Sequence, residues 1–147
     1  MKIRHIPGLF LCGSTGYAAL ELLWRQHTHW TMALTGGTVF IGLARTAEQL
    51  KDLPLFRRCA AGAVLITTAE LVVGATVNLH YRMQVWDYSR EKLNFKGQIC
   101  AKYAALWFLL SAPAMTLAGR LGGQCSAPAT SKACIRSSEI GRALSLK

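Results

Sequence analysis

Two carboxylates in this chain stand where carboxylates are costly. Glu21 lies near the end of an apolar run from Ile6 to Trp24, and Glu70 lies inside another from Cys59 to Leu79. A carboxylate at membrane depth costs about 2.5–3.5 kcal/mol on insertion scales, so such groups pair, face a bundle interior, or mark a substrate or ion path. Glu70 is a path candidate; the competing role is a hydrogen bond that ties two helices together. Glu21 stands four residues before Arg25, so a local i, i+4 ion pair competes with a functional role there.

Other polar groups gather nearby along the chain. Arg25, His27 and His29 form a tight turn bracketed by Trp24 and Trp30, in the manner of interfacial aromatic anchors. Asn78 and His80 close the third apolar run. A longer loop then offers Trp86, Asp87, Tyr88, Asn94 and Gln98. Asp87 has the chemistry of a general base or cation ligand, with Arg25 and His29 as helpers. Glu70 lies ten residues before His80, about 15 Å deeper at 1.5 Å per residue. The expected site is a polar mouth under a loop lid, with one buried carboxylate below. Its candidates are Glu21, Arg25, His29, Glu70, Asn78, Trp86, Asp87, Tyr88, Asn94 and Gln98.

The sequence assigns no catalytic residue and implies no cofactor. GxxxxGK[ST], GxSxG, HExxH and GxGxxG are all missing from it. The five cysteines show no CxxC spacing, and His27, His29 and His80 follow no ligand spacing rule, so no metal site is expected.

These residues must be positioned by membrane helices. Charged residues make up 16% of the chain, against about 25% in soluble domains. They cluster between long apolar segments. The expected fold is all-α, an integral membrane bundle of four transmembrane helices at about 6–24, 30–43, 59–79 and 99–117. Together these make one domain over residues 1–119. The second segment is the weakest, being short and interrupted by Gly36-Gly37. Ala19-Leu20-Glu21-Leu22-Leu23 resembles Ala69-Glu70-Leu71-Val72 with one residue skipped, which suits two parallel helix-hairpin units. Small residues such as Gly13, Gly36 and Gly62 would allow close helix packing, within one chain or in a homo-oligomer. Residues 120–147 read as a basic, disordered cytoplasmic tail. The apolar start resembles a secretory signal. It runs on past Gly16-Tyr17-Ala18 to Trp24, which suits a retained first helix better.

The net charge of +10 does not imply a nucleic-acid partner, because the Lys and Arg lie between and beyond the apolar runs. With the N-terminus inside, 11 Lys and Arg fall inside and 6 outside, so both termini are expected in the cytoplasm. The lipid bilayer is the first partner.

Longer motifs resemble a known family. They are Glu21-Leu22-Leu23-Trp24-Arg25, Thr28-His29-Trp30-Thr31-Met32 and Gly36-Gly37, then Thr67, Glu70-Leu71 with Gly74, and Trp86-Asp87-Tyr88-Ser89. Asn94 with Gly97-Gln98-Ile99-Cys100, and Trp107-Phe108 with Ser111, complete the set. Over about residues 13 to 118 the chain resembles the CmpB-like, ABC-transporter type IV family of bacterial multi-pass membrane proteins. It departs at Lys92-Leu93-Asn94, where many members have Pro-Phe-Asn. The resemblance implies a bacterial inner-membrane protein within a transport system, partnered by a separate ATPase or other membrane subunit. Two alternatives stand beside transport. One is a membrane enzyme or lipid-headgroup binder using Asp87 and Glu70. The other is a structural scaffold protein.

Overall fold

A computed structural model describes residues 6–123. Of the expected tail at 120–147, residues 120–123 continue the last helix, and residues 124–147 lie outside the described residues. Four helices make up the bundle: α1 Ile6–Arg25, α2 Trp30–Gln49, α3 Leu55–Val73 and α4 Ala101–Gly123. Three of the helical spans, Ile6–Arg25, Leu55–His80 and Ala101–Gly122, are long and apolar enough to cross a membrane. Their outward faces carry exposed large apolar side chains such as Leu23, Val64 and Leu109. A soluble protein would bury such a surface; a bilayer covers it.

Helix α1 keeps Pro7 in its first turn, where the missing N–H costs nothing. It stops at Arg25 because Gln26 takes a left-handed conformation, φ 61°. Helix α2 starts at the His29 cap, whose Nδ1 accepts from the Thr31 amide. It runs six residues beyond the expected end at Leu43. Hydropathy falls at Arg45 and Glu48, but Ala44, Ala47 and Gln49 keep good helix propensity, so the helix leaves the apolar zone without breaking. Helix α3 begins at Leu55, behind Pro54, rather than at Cys59.

Helix α2 is the centre of the bundle and packs on all three others. Thr31, Thr35, Gly36 and Gly37 are all buried in it. Its low hydropathy follows from this, since its neighbours are protein rather than lipid. The hairpin α1–α2 is closed by a short turn, and the pair α3–α4 is joined by the longer segment 74–100. The α1–α2 seam is closed by glycine. A Cβ on Gly13 would stand 2.6 Å from the Gly36 carbonyl oxygen and would collide with the Phe40 Cβ. One core cluster joins Leu9, Phe40, Leu43, Ile66, Met115 and Ala118. A second joins Met32, Trp86, Tyr88 and Cys100 beneath the long loop.

Helix α3 widens into a π-helical stretch over Gly74–His80, closed by the Tyr81 amide on the Thr76 carbonyl. The loop that follows is not plain coil. Strands β1 (Asn94–Phe95) and β2 (Ile99–Cys100) pair antiparallel. They are joined by Lys96, Gly97 and Gln98; Lys96 and Gly97, at φ 52° and 68°, are the central residues of a turn closed by the Gln98 amide on the Phe95 carbonyl at 3.0 Å. Positive φ at both central residues is the tight hairpin turn that matches strand twist. Residues 99–100, expected to open the fourth helix, are therefore strand, and α4 starts at Ala101.

Candidate functional site

Glu70 is buried, with 2% of its surface exposed. Its carboxylate accepts from the Trp107 indole Nε1 at 2.8 Å and from the Tyr17 hydroxyl at 3.4 Å. Three helices thus meet at one side chain: α3 supplies the acceptor, α4 and α1 the donors. Buried Trp and Tyr need partners for their N–H and O–H, and a carboxylate is the strongest available. The Tyr17 and Trp107 rings also stack, with centroids 5.9 Å apart. No Lys or Arg among the described residues lies at ion-pair distance from Glu70.

About one turn beyond Tyr17 along α1, Glu21 is buried as well. It takes Arg25 Nη1 at 3.1 Å and the Thr28 hydroxyl at 2.7 Å. The second Arg25 nitrogen donates to the Val85 carbonyl at 3.2 Å, which ties the long loop to α1.

Helices α1 and α4 barely touch. A cleft opens along their seam instead. Its loop end is a cavity of about 290 Å³ lined by Tyr17, Glu21, Trp24, Arg25, Tyr88, Tyr103 and Trp107, among others. Its deeper end, of about 370 Å³, is lined by apolar groups and glycines including Gly16, Leu20, Val39, Leu110 and Pro113. Tyr17, Leu20, Trp107 and Leu110 line both, so the two are parts of one cleft. At the mouth Tyr88 stacks on Tyr103 at 4.4 Å, and the Trp24 indole donates to the Tyr103 hydroxyl at 3.3 Å. Burial, reinforced by the Glu70 carboxylate, pushes the Tyr88 phenol far above its ordinary value, so it stays neutral.

The ten sequence candidates divide into three groups. Glu21, Arg25 and Tyr88 line the cleft, and Glu70 stands directly behind its Tyr17 and Trp107 wall. Asn78, Trp86, Asn94 and Gln98 are used in folding the loop. Asn78 donates to the Trp86 carbonyl and to Gln98 Oε1, each at 2.9 Å, and accepts from the Val85 amide at 2.8 Å. The Trp86 indole donates to the Gln98 carbonyl at 3.0 Å. Asn94 donates to the Ser89 and Glu91 carbonyls. Asp87 and His29 stand apart from the cleft. Asp87 accepts from the Ser89 amide and hydroxyl at 2.8 and 2.9 Å, and these bonds hold its carboxyl below the usual aspartate value. His29 is occupied as the α2 cap.

Tyr17, Trp24, Tyr103 and Trp107 were not among the sequence candidates, yet all four line the loop end of the cleft. An aromatic ring inside an apolar run looks like packing. The signal that could have found Tyr17 and Trp107 is their polar atom, which needs an acceptor such as the buried Glu70 carboxylate.

Fold and cleft together define a multi-pass helical membrane protein with a buried carboxylate behind an aromatic-lined cleft. The chain belongs to the family described as Putative ABC-transporter type IV, whose family model matches residues 11–126. No curated protein and no solved structure matches it.

Proposed function

We propose that this chain is a substrate-binding membrane subunit of a transport system, with the α1–α4 cleft as its site. The observation that carries this reading is the cleft itself. Two adjacent helices leave a gap, and the buried carboxylates Glu21 and Glu70 stand on or directly behind its walls. The family described above fits a transport role.

The distribution of Lys and Arg favours cytoplasmic termini in a bacterial inner membrane, so the polar end of the cleft faces outward beneath the 81–98 loop. Energy coupling falls to a separate ATPase or another membrane subunit, because this chain carries no Walker motif. An enzymatic role for Asp87 has no support from its position, outside the cleft and bonded to Ser89.

The test is Glu70→Gln, which keeps the side-chain shape and removes the charge. Uptake or efflux of candidate solutes is followed in cells, alongside size-exclusion profiles of the purified protein. Transport should fall while the protein remains folded. Unchanged transport of every candidate solute would overturn the reading. A loss of stability alone, with activity per folded molecule intact, favours a scaffold role.

A further inference from the structure

The cleft walls have a particular chemistry. Five rings line its loop end: Tyr17, Trp24, Tyr88, Tyr103 and Trp107. They come as two stacked pairs, Tyr17 with Trp107 and Tyr88 with Tyr103, and Trp24 is bonded to the second. The face of an aromatic ring carries negative potential and attracts cations.

The formal charges point the same way. Glu21, Glu70 and Arg25 are the ionisable carboxylates and guanidinium at this place. Glu21 and Arg25 neutralise each other at 3.1 Å, and Arg25 is further held by the Val85 carbonyl. Glu70 has hydrogen-bond donors but no compensating cation among the described residues. Glu70 is therefore left without an ion-paired cation, in surroundings where a lone charge is costly and a bound cation would stabilise its ionised form.

The two Glu70 donors are themselves wall rings. An N–H or O–H donated to a carboxylate shifts electron density into the ring that bears it. The faces of Trp107 and Tyr17 are made more negative by the bonds that bury Glu70. An anion would find the nearby cations already engaged: Arg25 is paired with Glu21, and Lys102, which stands 5.6 Å from the Tyr103 ring centroid, is paired with Glu91. Below the rings, the apolar part of the cleft has room for a hydrocarbon body.

We infer that the cleft takes a lipophilic organic cation, a quaternary ammonium or phosphonium class of molecule. Its charged centre sits among Tyr17, Trp107, Tyr88 and Tyr103, and its apolar body extends toward Gly16 and Leu110. The inference rests on the cleft being the substrate site, as proposed above.

Tetraphenylphosphonium and tetraphenylborate test this, since they share size and shape and differ in the sign of charge. Equilibrium dialysis against the full chain, in neutral detergent with matched empty micelles subtracted, gives both affinities. The phosphonium should bind at least about tenfold tighter than the borate. Glu70→Gln should lower phosphonium affinity about tenfold and leave the borate unchanged or improved. Tyr103→Leu, which leaves the Glu70 bonds intact, should also weaken the phosphonium and serves if Glu70→Gln fails to fold. Gly16→Leu fills the cleft from a position where a Cβ meets nothing within 4 Å, and should abolish binding. Borate binding as tightly as phosphonium, with both lost in Gly16→Leu, overturns the cation preference but leaves the cleft as a site. Binding of both ions unaffected by Gly16→Leu overturns the cleft reading together with it.

Discussion

Alanine at Gly13 should force α1 away from α2. The added Cβ would stand 2.6 Å from the Gly36 carbonyl oxygen and 3.1 Å from the Gly37 Cα, and would overlap the Phe40 Cβ. Carbon contacts settle near about 3.5–4.0 Å, so the helices must part by about 1 Å. Two of the three obstructing atoms are backbone, and no rotamer change relieves them. A radial gap of about 0.5–1 Å forfeits a quarter to a half of each dispersion contact along a seam. Membrane helices have little else to hold them, because lipid is as apolar as the seam. Overpacking costs about 1–3 kcal/mol in well-packed cores, and the upper end applies here. Gly16, three residues on, is the control: alanine brings the same helix-propensity gain of about 1 kcal/mol there, with nothing within 4 Å. Thermal melts in detergent, followed by circular dichroism, compare the two. Gly13→Ala should lower the midpoint, and Gly16→Ala should hold or raise it. Equal shifts would refute the claim that backbone contact, rather than propensity, sets the α1–α2 spacing.

Three more outcomes follow from bonds described above. Trp107→Phe keeps the stack on Tyr17 but removes the 2.8 Å donor to Glu70. It should cost about 1.5–3 kcal/mol, the range of hydrogen bonds to charged groups, as read by the same melts. Asn78→Leu removes three bonds that fasten the loop, so limited trypsin digestion should cut at Arg82, Arg90 or Lys92 much faster than in the wild type. Asp87 has a depressed value in the fold, so its stabilisation is present above the ordinary 3.8 and is lost as pH falls through the lowered value. Melts of wild type and Asp87→Asn should differ by a constant amount at mildly acidic and neutral pH, and converge only below 3.8.

Most of the helical architecture was legible because lipid imposes a length and a composition on what crosses it. The run around Glu70 is apolar for the membrane, and the same run is helix. What hydropathy missed was set by protein contacts. Helix α2 looked short because its buried threonines and glycines face other helices. Residues 99–100 looked helical because an apolar pair beside Gly97 carries no mark of its strand partner. The site shows the same division. Glu21, Glu70 and Arg25 stood out as charges in the wrong solvent. Tyr17 and Trp107 did not, because only the folded chain brings their polar atoms to Glu70. Asn78, Trp86 and Gln98 stood out as polar groups, but their partners are one another.

Pro113 gives α4 two mechanical halves. Proline has no N–H, so the Leu109 carbonyl has no helical partner and bending there breaks no bond. The half after it is anchored: Met115 and Ala118 are buried in the core formed with α2 and α3. The half before it carries Trp107 and Leu110 on the cleft wall. Swinging that half outward would widen the opening and draw Trp107 off Glu70 in one movement. A bend at Pro113 would therefore widen the cleft and uncover the buried acid together.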